Sequence, residues 1–167
     1  MTNSARPIQN INLEETTMQS PRYRPNVAAI IRKNGRILIG ERFNIPGCWQ
    51  FPQGGVKKSE PSAEALIREL KEEVSLEPRH YRVVDSKGPY RYLFGQGRTK
   101  EGYHGQEQTY FLVDLLASES QLTAATESPE FRQIRWIRPE EFQISWLPGF
   151  KQDVYRKVFL DFFDVKI

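Results

Sequence analysis

A chain of 167 residues has room for one domain with a real hydrophobic core. Its 24 Lys and Arg against 21 Asp and Glu leave a net charge of +3, too mild to argue alone for a nucleic-acid partner. The single cysteine, Cys48, excludes an internal disulfide, and no apolar run approaches the roughly 20 residues of a membrane span. With no basic-then-apolar signal at the N-terminus, a soluble cytoplasmic protein is expected.

Residues 1–21 are polar, with isolated Ile8, Ile11 and Leu13 and no sustained period. They read as a disordered or loosely docked tail ahead of a domain over 22–167. Apolar runs at 27–31 and 36–40 flank Lys33-Asn34-Gly35, and Asn-Gly between such runs signals a tight hairpin, because both turn residues take positive φ. After the turn Asn44-Ile45-Pro46-Gly47 comes a short strand over 49–51, then Pro52-Gln53-Gly54-Gly55, then a helix. Pro61 suits its first turn, where a missing N–H leaves nothing unpaired, and Ser59 or Glu60 can cap the free amides. Ala63, Leu66, Ile67, Leu70 and Val74 recur three or four apart and predict one buried stripe at about 100° per residue.

Beyond the helix, 81–86 and 90–94 read as two strands separated by Lys87-Gly88-Pro89. Residues 95–106 form a glycine-rich loop carrying Arg98, Lys100, Tyr103 and His104, either a mobile surface loop or a cationic flap over a polyphosphate. His104 there reads as a solvated histidine rather than a base. Residues 108–115 alternate and then run apolar, as a central strand does, and 131–137 alternate as another strand. Val154, Val158, Phe159, Phe162 and Phe163 within 150–163 have the spacing of a C-terminal core helix. Neither a repeat nor a dividing linker is present. These elements suggest an α/β protein with a mixed sheet between two helices.

On the flank of the first helix lie Glu69, Glu72 and Glu73. Like charges at such spacing destabilise a helix by a few tenths of a kcal/mol per pair. Arg68 can pair with Glu72, but one guanidinium does not neutralise three carboxylates. Spacing alone is also compatible with a solvated acidic face. The setting points elsewhere: a strand, a double glycine and a carboxylate-bearing helix make a metal site beside a phosphate-sized gap.

Gly54, Glu60, Arg68-Glu69-Leu70, Glu72-Glu73 and Leu76 reproduce the Nudix box, G-x5-E-x7-R-E-U-x-E-E-x-G-U with U aliphatic. The chain thus resembles the Nudix hydrolases, which implies an α/β/α sandwich with the mixed sheet between the box helix and the C-terminal helix. Ser75 stands where the motif has glycine, at the point that closes the helix, where a left-handed residue is favoured. The likeness extends further, through Tyr23-Arg24-Pro25-Asn26-Val27, Trp49 to Gly55, Gly105-Gln106-x-Gln108, Pro129-Glu130-Phe131 and Phe150-Lys151-x-Asp153-Val154-Tyr155. These segments are similar to the bacterial RNA 5′-pyrophosphohydrolases and, in much of the pattern, to the dinucleoside-polyphosphate hydrolases.

The resemblance implies hydrolysis of a phosphoanhydride. Such a substrate repels hydroxide, so divalent cations are needed to neutralise its oxygens and to acidify a water. Mg²⁺, with Mn²⁺ able to substitute, takes hard oxygen ligands and keeps some waters, so a few carboxylates suffice. Glu69, Glu72 and Glu73 are expected to supply them, the Gly54 carbonyl to be an extra ligand, and Glu130 to act as a further ligand or as the base. The catalytic proton acceptor is one of these four glutamates. Glu60 and Arg68 are expected to brace the helix and orient the ligands.

By the same resemblance Arg24, Arg42, Tyr92, Phe150 and Lys151 match positions around the 5′-end pocket, cations suiting phosphates and aromatics suiting an unpaired base. Glu107 and Thr109 stand where that pattern carries lysines, which would weaken phosphate binding or favour a dinucleotide. Three readings follow. The favoured one is removal of pyrophosphate from 5′-triphosphorylated RNA, which would initiate mRNA decay. The others are asymmetric cleavage of dinucleoside tetraphosphates and a non-catalytic binding module, against which the full carboxylate set argues. The expected partner is thus an RNA 5′ end or a dinucleoside polyphosphate, with no membrane and no protein partner assigned.

Overall fold

A computed structural model of the protein describes residues 19–167. The tail expected over 1–21, with its three isolated apolar residues, falls for 1–18 outside the described residues. Strand β1 (Tyr23–Lys33) turns through Asn34 and Gly35, at φ 50° and 72°, into β2 (Arg36–Arg42). The short strands β3 (Trp49–Gln50) and β4 (Gln53–Gly55) lead to helix α1 (Ser62–Val74). Then come β5 (Tyr81–Leu93), β6 (Gly105–Leu115), β7 (Phe131–Ile137) and helix α2 (Gly149–Phe163).

All seven strands join one mixed sheet in the order β3-β2-β1-β6-β5, with β4 paired to β1 and β7 to β2. The β1–β6 pair is parallel, from Tyr23↔Gly105 to Arg32↔Asp114, and the other pairs are antiparallel. Strand β1 reads as a continuous apolar run because both its faces are covered. Ala28 and Ile30 pack towards α2, with Phe51, Tyr110, Tyr155 and Phe159. Val27, Ala29 and Ile31 pack towards α1, with Leu66, Leu70 and Val74. Two layers of core on either side of one sheet make the α/β/α sandwich. Among the described residues no helix is long and apolar enough to cross a membrane.

Several local expectations are corrected. Helix α1 buries Ala65, Leu66, Leu70, Glu73 and Val74, whereas Ala63 is exposed and Ile67 is 41% exposed. The buried arc is centred so that Glu73 lies inside it, which turns Ile67 to its solvent margin. Neither Ser59 nor Glu60 caps α1. Pro61 sits just ahead of the first helical residue with extended dihedrals and no side-chain cap, and its carbonyl accepts from Glu64 and Ala65 at 3.0 Å.

Gln53–Gly55, expected as a connection, forms β4 because its backbone pairs with Asn26, Val27 and Ala28 of β1. The two strands expected at 81–86 and 90–94 are one bulged strand, with register shifts between Val83 and Asp85 and between Lys87 and Tyr90. A Cβ at Gly88 would come within 2.9 Å of the Gln108 carbonyl, so glycine lets β5 stay against β6 across the shift. Residues 105 and 106, expected in the loop, already belong to β6, where they pair with Tyr23 and Arg24.

Candidate active site

Strands β1, β2, β4 and β6, helix α1 and the segment before β7 enclose a cleft of about 1050 Å³. Its carboxylates are Glu69, Glu72, Glu73, Glu127 and Glu130, and its cations Arg24, Arg42, Lys71 and Lys100. Between them stand the amides of Asn26, Gln50, Gln53 and Gln106.

Arg68 is the brace of the site. Its Nε and Nη2 donate to the two oxygens of Glu60, each at 2.9 Å, and Nη2 also reaches the Gly55 carbonyl at 2.9 Å. Its Nη1 donates to Glu69 at 2.6 Å and lies 3.5 Å from Glu72. The guanidinium thus ties the pre-helix loop, β4 and α1 into one unit. Hydrogen bonds from Arg68 and from the Lys57 N–H hold the Glu60 carboxyl down at about 2.

The three box glutamates do not stand equally. Glu73 is 5% exposed and accepts from the Gln53 N–H at 3.1 Å. Burial first, then the charges of Glu69 and Glu130, push its carboxyl well above the usual range. Glu69 is also raised, by burial, against the lowering effect of its Arg68 bond. Glu72, expected beside them, points out to the rim with its side chain 57% exposed. A helix places side chains 69 and 73 on one row, and the adjacent residue is carried about 100° away.

Glu130 is exposed across the cleft, where its carbonyl accepts from the Phe43 N–H at 2.8 Å. A Cβ at Gly54 would fall inside the Glu69 carboxylate, so only glycine lets strand and acid approach this closely.

Among the described residues no three acids, histidines or cysteines enclose an ion as they stand. The donor set nonetheless fits a hard divalent cation. Oxygen ligands, Glu73 buried and Glu69 half-buried, crowd their negative charges together, and the adjacent guanidinium is already engaged by Glu60 and Gly55.

The five residues expected at the 5′-end pocket divide into two groups. Arg24 and Arg42 line the cleft. Arg24 lies against Gly55 and 3.7 Å from Glu101. Tyr92, Phe150 and Lys151 do not line it, and Tyr92 and Lys151 stand behind its wall. The Tyr92 hydroxyl donates to Gln106 at 2.5 Å, and Lys151 Nζ donates to Gln50 at 2.9 Å. Phe150 is 37% exposed, with its ring 5.8 Å from that of Tyr92. Burial, and next Arg42, bring the Lys151 ammonium down to about 8.

The sequence reading assigned no role to the amide network that forms the cleft floor. Gln108 Nε2 donates to Asn26 and to Gln53, each at 2.8 Å, while its oxygen accepts from Tyr110 at 3.0 Å. The available signal was glutamine on one face of an otherwise apolar strand. Alternation carries Glu107 and Thr109 to the opposite face, off the cleft, and Glu107 is paired there with Arg91 at 2.6 Å. The expected effect of these two residues on phosphate binding is therefore not a cleft effect. In the glycine-rich loop, Lys100 reaches the cleft, and His104 is exposed, accepting from the Arg22 N–H at 2.9 Å.

A model of the NUDIX domain matches residues 22–161. An RNA pyrophosphohydrolase of Hahella chejuensis (strain KCTC 2396) is 39% identical over 147 residues, 84% of this chain and 90% of that protein. One of Francisella tularensis subsp. tularensis (strain WY96-3418) is 41% identical over 141 residues, covering 81% and 90%. Among solved structures, the E. coli dihydroneopterin triphosphate pyrophosphohydrolase superposes with a TM-score of 0.63 over 84% of this chain and 97% of that one. A C. elegans Ap4A hydrolase in a binary complex gives 0.58 over 81% and 94%. At 19% identity each, these two bear on the fold.

Proposed function

The chain belongs to the Nudix hydrolase family, and from that premise we propose that it removes pyrophosphate from the 5′-triphosphate end of RNA. The observation that carries the reading is the pairing of the half-buried Glu69 and the buried Glu73 with Arg24, Arg42 and Lys100 in one cleft. Acids and cations so placed suit a polyphosphate bridged by a metal. The two RNA pyrophosphohydrolases at 39% and 41% identity support the choice of substrate.

Hydrolases of this family use divalent metal ions, and Mg²⁺, or Mn²⁺ in its place, suits this all-oxygen set. When bound, such an ion neutralises phosphate oxygens and lowers the pKa of a water. Glu69, Glu73 and the Gly54 carbonyl would hold it from the helix and β4, with Glu72 and Glu130 completing the set from the rim. Arg68 keeps Glu69 aimed across Gly54. Arg24, Arg42 and Lys100 take the charges of the phosphate chain. The water's proton would pass to a carboxylate oxygen of the same set, Glu69, Glu72, Glu73 or Glu130. Behind the wall, Tyr92 and Lys151 fix Gln106 and Gln50, and Phe150 offers an aromatic face to the first bases. The products are a 5′-monophosphate RNA and pyrophosphate, chemistry that belongs with a cytoplasmic enzyme of mRNA decay.

The alternative substrate is a dinucleoside tetraphosphate, which the same metal site would serve. A comparison of kcat/KM on a short 5′-triphosphorylated RNA and on diadenosine tetraphosphate, at matched Mg²⁺, decides between them. The RNA is expected to be preferred, and a large preference for the dinucleotide overturns the proposal.

A further inference from the structure

Among the described residues five arginines form no ion pair with a described carboxylate: Arg22, Arg42, Arg98, Arg132 and Arg135. Three of the five lie on two adjacent strands, β2 and β7, beginning with Arg42 in the cleft wall. Arg42 lines the cleft and pairs in register with Phe131. The next residue, Phe43, is 47% exposed, and its ring carries the Arg132 guanidinium at 5.8 Å. The backbone of Phe43 is pinned to Glu130, so this stacked pair sits directly beside the acid edge of the site.

Three residues along β7, about 10 Å further, Arg135 lies 4.3 Å from the Trp49 ring centroid. Among the described residues β7 pairs with β2 alone, and Arg132, Gln133 and Arg135 along it are exposed. Glu41, whose charge faces Arg132 and Arg135, is buried and already accepts from Gln133 and from the Gly47 N–H. Guanidiniums set over aromatic rings along an exposed strand suit a chain of phosphates with unpaired bases between them.

We propose that this strip from Arg42 across Phe43 and Arg132 to Arg135 seats the body of the RNA strand downstream of its 5′ triphosphate. The proposal rests on the RNA reading given above. It gives the enzyme a surface that only a polymer reaches, because a dinucleoside polyphosphate ends within the cleft. Phosphate contacts by Arg132 and Arg135 and stacking on Phe43 carry no base code, so the strip adds affinity without dictating sequence.

The test compares the full-length wild-type chain with an Arg132→Ala/Arg135→Ala double variant in Mg²⁺. The substrates are a 5′-triphosphorylated RNA of about 20 nucleotides, a 5′-triphosphorylated dinucleotide and diadenosine tetraphosphate. The variant is expected to raise KM for the long RNA by about tenfold and to flatten its slope of log KM on log salt by about 1.4, two contacts at ~0.7 each. KM for both short substrates is expected to stay unchanged. Arg132→Lys/Arg135→Lys, which keeps the charge, is expected to restore most of the salt slope.

Unchanged KM on the long RNA sinks the strip, and so does an equal loss on all three substrates. A wild type that treats long and short RNA alike also overturns it, while leaving the RNA reading intact. A wild type that cleaves diadenosine tetraphosphate but neither RNA overturns both.

Discussion

Glu73 lives in surroundings at odds with its charge. It is buried with Glu69 and Glu130 as its charged neighbours, so its carboxylate raises the energy of the metal-free protein at neutral pH. Glu73→Gln keeps the shape and removes that charge. The variant is expected to lose on the order of 10²–10³-fold in kcat, comparable to removal of one strong electrostatic contact in an active site. It is also expected to melt higher than wild type without metal, and to gain less from added Mg²⁺. Thermal melts with and without Mg²⁺, beside turnover, check both halves, and unchanged turnover would refute the metal assignment. Lys151 offers a second handle at this scale. Its ammonium, lowered to about 8 by burial and then by Arg42, is charged at neutral pH and fades above that value. The RNA kcat/KM profile is therefore expected to fall on its alkaline side near pH 8, a limb that Lys151→Arg moves out of range. For stability the sign is opposite. Between about 8 and the ordinary 10.5 the unfolded chain binds more protons, so this group's contribution to stability rises with pH across that window.

Among the elements, α1 carries both the clearest sequence pattern and a departure from it. Ser75 closes the helix at φ 62°, with Leu76 N–H bonded back to Leu70 at 3.1 Å, so serine occupies a left-handed position that favours glycine. An L-residue there costs about 1–2 kcal/mol. Ser75→Gly is expected to stabilise the protein by about 1 kcal/mol, or about 2–4 °C in Tm. A lower Tm would mean that the serine makes a compensating contact, and calorimetry reads the difference. Strands β2, β6 and β7 and helix α2 were each legible because their apolar periods are unbroken. Strand β4 was not, and β5 was legible only as two shorter strands. Neither carries a clean alternation, and both exist because a neighbour already in place offers free backbone groups: β1 for Gln53–Gly55, and β6 for the bulged Tyr81–Leu93.

At the scale of the molecule, the sheet separates two cores that do different work. The α1 side holds the carboxylates in line. The α2 side is an aromatic stack in which Phe51, Phe142, Tyr155 and Phe159 lie within 4.9–6.5 Å of one another and the Tyr155 hydroxyl accepts the buried Phe51 N–H at 3.0 Å. Phe159→Ala removes a fully buried ring from this layer, and denaturant unfolding is expected to show a loss of about 3–5 kcal/mol. Because the ring lies on the far face of the sheet, kcat of the folded variant is expected to stay close to wild type.

The linear chain by itself determined the hairpin at Asn34-Gly35, the box helix with its glutamates and the two-helix sandwich, since each is written in local spacing. Only the tertiary structure decided that Glu73 turns inward and Glu72 outward, that Tyr92 and Lys151 support the wall rather than form it, and that four amides floor the cleft. The same holds for the guanidiniums that gather on β2 and β7. These arrangements depend on the register between strands far apart in the chain, such as Asn26 with Gln108, and on how a helix rotates once its apolar arc meets the sheet. Periodicity fixes which side chains share a face, but only the packed partner fixes what that face meets.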